Sequence, residues 1–146
     1  MLRMVLLALT ILSLAACAGA APVRPLSLDD LSAFPGSTPL EPGNSPMADA
    51  VANALAQTGA GANVTLRSQT LPRGTTWDEL QIFYGEALEA EDWQRVPALD
   101  SANPALNTAG WQRGSSGSEQ VILLGYVVAV ADDPPVAVLT LVSEQP

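Results

Sequence analysis

The chain predicts an α+β domain, an about five-stranded mixed or antiparallel sheet with one long and one short helix packed against it. Three observations carry this expectation. From Thr75 to Trp93, apolar residues recur at helical spacing: Leu80, Phe83, Tyr84, Ala87 and Leu88 share one face, with Trp77 at its edge. Gln120–Ala131 and Val136–Ser143 are β-branched runs that are apolar on both faces. Between the helix and the N-terminal third, Asn63–Leu71 alternates Val64, Leu66, Ser68 and Thr70 against Thr65, Arg67 and Gln69, a strand with one better-buried face.

Composition bounds what such a domain can do. The 146 residues suffice for one domain with a real core. The formal charge is −9, from 15 acidic residues against 6 arginines, with no lysine. A surface so acidic argues against nucleic acid and anionic membrane surfaces, since both need a basic patch. Histidine is absent, which removes the commonest general base and metal ligand. The single cysteine excludes an internal disulfide and a cysteine-rich zinc site. No cofactor or enzyme activity is expected.

In chain order, Met1-Leu2-Arg3 is a short positive end, and Met4–Ala16 is apolar apart from Thr10 and Ser13. This is the layout of a secretory signal, too short for a membrane span. It closes in Leu14-Ala15-Ala16-Cys17, which resembles the lipobox of bacterial lipoproteins. The resemblance implies a signal peptide over 1–16, cleavage before Cys17 and lipid attachment at its thiol. A plain signal cleaved after Ala18-Gly19-Ala20 is the alternative. Ala18 rather than Asp after the cysteine implies sorting to the outer membrane, facing the periplasm or the surface. The partners expected are the membrane, reached through that lipid, and an envelope protein or a second copy of the chain.

Residues 17–44 read as a lipidated N-terminus and proline-rich tether, and 45–146 as the globular domain. Half of the chain's 12 prolines fall in Ala18–Met47. Phe34 and Leu40, in Phe34-Pro35-Gly36-Ser37-Thr38-Pro39-Leu40, are placed to dock on the domain. Ser45 as N-cap, Pro46 at the first helical position and Asp49 in the first turn start the short helix. Met47, Val51, Ala54 and Leu55 form its expected apolar face, and Gly59 its stop. Gly59-Ala60-Gly61-Ala62 breaks the chain before the strand at 63, and Pro72-Arg73-Gly74 turns it into the long helix.

Thr76 and Glu79 form a capping box there. Asp78, Glu79, Glu86 and Glu89 line the solvated face, where Ile82 stands out as apolar. Trp93–Val96 reads as a short strand, 97–109 as a loop, and Trp111-Gln112-Arg113 repeats Trp93-Gln94-Arg95. Gly114–Ser118 is a turn, and Asp132-Asp133-Pro134-Pro135 joins the last two strands. In the first of these, Val121, Leu123 and Val127 point one way and Ile122, Leu124, Tyr126 and Val128 the other. A sheet apolar on both sides needs cover on both sides. The long helix covers one. The short helix with the Phe34–Leu40 segment, or another chain, covers the second.

From Phe34-Pro35-Gly36 through Phe83-Tyr84-Gly85-Glu86-Ala87-Leu88 to Trp93, the pattern resembles a group of uncharacterised bacterial envelope lipoprotein modules. These carry aromatic-Pro-Gly near the start and Phe-Tyr-x-x-x-Leu-x-x-x-Gly-Trp at a helix end. The resemblance implies a small α+β fold outside the cytoplasm and assigns no activity. The chain departs from it at Asp92, where the pattern has glycine.

Candidate chemistry is sparse. The acidic pairs Glu91-Asp92 and Asp132-Asp133 are the concentrations of chemically useful groups, and both fall at predicted turns, where Asp is favoured for backbone reasons. The tryptophans Trp77, Trp93 and Trp111 border core elements, although they have the rings to line a groove. Arg95 and Arg113 share a face, and a small anion site, if both segments are strands. The reading is a lipid-anchored envelope module, attached at Cys17, that binds or scaffolds without catalysis. The alternative is a periplasmic small-ligand carrier with an apolar pocket between helix and sheet.

Overall fold

The computed structural model describes residues 25–58, 62–102, 104–114, 119–128 and 133–143. In chain order the elements are β1 (Thr38–Pro39), α1 (Pro46–Thr58), β2 (Asn63–Thr70), α2 (Trp77–Glu89), β3 (Gln94–Arg95), β4 (Ser101–Ala102), β5 (Leu106–Arg113), β6 (Gln120–Val127) and β7 (Val136–Ser143). The strands form one sheet in the order β1-β2-β7-β6-β5-β3, with β4 also on β5, and every pair is antiparallel. The class is α+β as expected, but among the described residues there are 7 strands rather than about five and no parallel neighbours. The two-residue strands β1 and β4 lie in stretches read as tether and loop; two residues cannot show an alternation. β5 starts at Leu106, inside that same loop. Nor is one helix long and the other short, since α1 and α2 each span 13 residues.

Helices cover both faces. On one, α2 lays Leu80, Tyr84 and Leu88 against Trp111, Ile122, Leu124, Tyr126 and Leu139. On the other, α1 lays Ala48, Val51 and Leu55 against Leu123, Val127, Val136 and Val138. The side chains of β6 divide as their alternation predicts, with Val121, Leu123 and Val127 toward α1 and Ile122, Leu124, Tyr126 and Val128 toward α2. Burying a large aliphatic side chain is worth about 1.5–3 kcal/mol, so each face contributes a core of its own.

Local signals set the helix ends. Ser45 Oγ accepts the Ala48 N–H at 3.3 Å, capping α1. Thr76 Oγ1 accepts the Glu79 N–H at 3.3 Å, and Glu79 Oε2 accepts the Thr76 N–H at 2.8 Å, completing the capping box of α2. The Thr76 N–H, together with the Thr76 hydroxyl, which donates to Glu79 Oε2 at 2.9 Å, shifts the pKa of the Glu79 carboxyl downward from its ordinary value. At the other end, Asp92 takes φ 63°, the left-handed conformation that glycine usually supplies. Its N–H donates to Glu89 O at 3.2 Å and that of Trp93 to Leu88 O at 3.1 Å. The tight turn therefore forms with aspartate in the glycine position, a residue whose short polar side chain tolerates that region.

The apolar face of α1 is rotated from expectation. Ala48, Val51 and Leu55 are buried, while Met47 is 49% exposed and Ala54 is exposed. Hydropathy favours the row containing methionine. Val51 and Leu55 keep their expected places, in contact over Gly125, and Ala48 rather than Met47 or Ala54 completes the buried row against the sheet.

The stretch read as tether folds onto the domain from Leu26 onward. Leu28 and Leu31 are 2% and 7% exposed and belong to the α2-side core. Gln120 Oε1 accepts the Leu26 N–H at 2.9 Å and its Nε2 donates to Leu26 O at 3.1 Å. Arg67 Nη1 donates to the carbonyls of Leu28 and Leu31. Among the described residues the folded unit thus includes Leu26–Leu31, ahead of the expected boundary at 45. Its leucines, spaced among prolines, show no periodicity; their burial depends on residues as far away as Gln120. Phe34 and Leu40 both dock, but on opposite faces: Phe34 edge-on to Phe83 at 5.3 Å beside α2, Leu40 beside α1. Cover for the α1 side therefore comes from α1 and Leu40, without Phe34.

Candidate functional site

The repeated tripeptide builds the most elaborate side-chain arrangement among the described residues. β3 and β5 pair with Gln94 opposite Gln112 and Arg95 opposite Trp111. Antiparallel pairing of two identical Trp-Gln-Arg segments sets each arginine against the other segment's tryptophan. The Arg95 guanidinium lies 4.4 Å from the Trp111 ring centre and that of Arg113 5.0 Å from Trp93. A desolvated contact of this kind is worth up to about 2 kcal/mol. Trp93 and Trp111 are 3% and 1% exposed, so neither ring is free to stack on a ligand. Their indole N–H groups and Arg95 Nη1 have no acceptor among the described residues.

Beside this ladder runs an open groove of about 550 Å³, walled by Asp78, Gln81, Ile82, Glu86 and Glu89 of α2 and floored by Arg95 and Trp111. A second recess of about 360 Å³ on the other side of Arg95 is lined by Trp77, Asp100 and Thr108. Ile82, unexplained by the helical pattern, is 59% exposed at this groove. Electrostatically the groove is acidic, because the guanidinium of Arg95 is already paired with Asp100 at 3.0 Å. Arg113 is held by the Glu91 carbonyl at 3.0 Å and lies 3.9 Å from the Glu91 carboxylate. The two arginines share a face, as their spacing allows, yet each is committed to its own carboxylate. They do not form a joint anion site.

The acidic pairs are not brought together. Glu91-Asp92 builds the turn after α2, Asp133 is exposed, and Asp132 lies outside the described residues. Among the described residues no three histidine, cysteine, aspartate or glutamate side chains are close enough to hold a metal ion. Cys17 and the signal-like segment 1–16 also lie outside them, as do 59–61 and 115–118.

Where an apolar ligand would sit between α2 and the sheet, side chains fill the space. Leu80, Tyr84 and Leu88 meet Ile122 and Leu124, all 0% exposed. The polar ends of the tyrosines are accounted for as well. Gln69 Nε2 donates to the Tyr84 hydroxyl, and the Gln69 carbonyl accepts from Ser37 Oγ at 3.0 Å. The Tyr126 hydroxyl donates to Thr75 O at 2.7 Å, and burial, with Glu79 nearby, pushes its pKa upward.

Sequence reasoning missed the clamp made by Arg67 and Gln120, because both partners are backbone atoms of distant residues. The one available signal was Gln120, a polar residue at the start of an otherwise apolar strand; Arg67 lies mid-strand among other polar residues. No known protein family, curated protein or solved structure matches the chain.

Proposed function

We propose that the chain is a lipid-anchored protein of the bacterial cell envelope, cleaved before Cys17 and lipidated there, which acts by binding or scaffolding. The single feature that carries this reading is Leu14-Ala15-Ala16-Cys17, the only cysteine of the chain at the end of an apolar run. In it the lipid holds the domain at the outer membrane, facing the periplasm or the surface. Two or more acyl chains anchor stably, at about 0.8 kcal/mol per buried CH₂.

The docking of Leu26–Leu31 supports a closer posture than a tether to residue 44 would give. Only residues 18–25 separate Cys17 from the clamp at Gln120 and Arg67. At roughly 3.3–3.6 Å per extended residue, the domain then rides within about 30 Å of its anchor. Metabolic labelling with a fatty acid, compared with Cys17→Ser, tests the reading. The parent protein is expected to take up label and fractionate with membranes, and Cys17→Ser to do neither. An unlabelled parent in the soluble fraction removes the anchor.

A further inference from the structure

The two sides of β2 are treated differently. Toward the interior of the sheet it pairs with β7 along its whole length, Asn63 opposite Ser143 through Thr70 opposite Val136. Toward the outside, β1 covers only Gln69 and Thr70, and the Leu40 N–H donates to Ser68 O at 3.0 Å. Among the described residues nothing pairs with the outer edge from Asn63 to Arg67. The bond at Ser68 also fixes the phase. Backbone groups of alternate residues point to the same side of a strand, so the N–H and C=O of Leu66 and Val64 face outward with that of Ser68.

This edge lacks the usual protection. Proteins blunt exposed edges with lysine, proline or charged side chains, whereas the open segment reads Asn-Val-Thr-Leu-Arg. Its one charge is withdrawn, since Arg67 bonds the carbonyls of Leu28 and Leu31. Leu66 is 41% exposed. Alongside it lies a groove of about 630 Å³ between the edge and α1, with Leu40, Pro42 and Ala52 as its apolar wall. Glu41 and Asp49 supply the groove's carboxylates.

We propose that the open half of β2 is a docking edge for an extended peptide segment of another protein. That segment pairs with the outward groups of Val64 and Leu66 and sets apolar side chains, two residues apart, against Leu66 and the groove. A basic residue lies near Glu41 and Asp49. Strand addition of this kind takes affinity from main-chain bonds and specificity from pockets for alternate side chains. The groove's carboxylates and the chain's charge of −9 select a cationic partner over a second copy, which would bring the same sign to the same place. The proposal deepens the binding function proposed above and rests on it, but not on the lipid.

The test titrates the full chain with three end-blocked synthetic heptapeptides: valine alternating with arginine, valine alternating with glutamate, and the arginine peptide with N-methylated backbone. The arginine peptide is expected to bind saturably, at least tenfold more tightly than the glutamate peptide, and to slow amide exchange at Val64 and Leu66. The N-methylated peptide should not bind. Leu66→Pro removes one outward N–H without touching the β7 pairing and should abolish binding. Glu41→Arg keeps the edge intact and should lower affinity for the arginine peptide several-fold.

Equal binding of the two charged peptides, no binding, or protection elsewhere overturns the proposal. So does concentration-dependent protection of Val64 and Leu66 without peptide in a sedimenting dimer, which assigns the edge to a second copy. A chain that takes up fatty acid but binds no peptide keeps its anchor and loses this edge. The converse result keeps the edge and loses the anchor.

Discussion

The two ends of the sheet solve the same problem in opposite ways. At the β5 end, two short strands, a 3₁₀ turn at Pro97–Leu99 and the Trp–Arg ladder close the edge with side chains and ion pairs. Gly110 of β5 lets that turn approach, since a Cβ there would stand 2.6 Å from the Leu99 Cβ. At the β2 end, the same chain covers only the last residues of the strand and leaves a five-residue edge beside an exposed leucine. A sheet whose edges were both merely tolerated would be expected to guard both. The contrast teaches that closure here is built where stability needs it, and that the unguarded edge is available for something else.

The comparison can be broken by substitution, and the largest effect is expected at the closed end. Trp111→Ala removes the most deeply buried tryptophan and the surface under Arg95. It should cost about 3–5 kcal/mol, read as a shift of the denaturation midpoint; a loss below 1 kcal/mol would mean the ladder is ornamental to the fold. Gly110→Ala forces the Pro97–Leu99 turn off β5 and should cost about 1–3 kcal/mol, measured the same way and accompanied by faster exchange of the Val96 amide, which now donates to Gly110 O at 2.9 Å.

Between these and the open edge lies the turn that leads into β3. Asp92→Gly relieves the left-handed backbone at φ 63° and should raise stability by about 0.5–1 kcal/mol. Urea denaturation checks the sign. The smallest effect is expected at the open edge itself: Leu66→Lys should change stability by no more than about 0.5 kcal/mol, as for other surface positions. A loss of several kcal/mol there would show that Leu66 is core and the two edges are alike.

Much of the fold was legible because its signals are local. The capping box at Thr76 and Glu79, the helical face of Leu80, Tyr84 and Leu88, and the two-sided division of β6 all follow from spacings of a few residues. The candidate sites were much less so. Arg95 and Arg113 could be placed on one face, but their commitment to Asp100 and Glu91 could not be read, because it depends on how the loop after β3 and the turn after α2 return to the sheet. The open edge was illegible altogether, since Asn63–Thr70 reads as an ordinary strand wherever it sits in the order.

By itself, then, the sequence determined the two helices and the strands β2, β6 and β7, that the last two strands want cover on both faces, and that the surface is acidic. Periodicity and charge are properties of neighbours along the chain, and they survive without knowledge of the rest. Tertiary structure alone decided that β2 joins β7, that α1 buries Ala48 in place of Met47, and that Leu28 and Leu31 leave the tether for the core. Each of these is a choice among locally equivalent options. It is settled by partners many residues away: the strand side chains Leu123, Val127, Val136 and Val138 under α1, or the guanidinium of Arg67 bonded to two carbonyls.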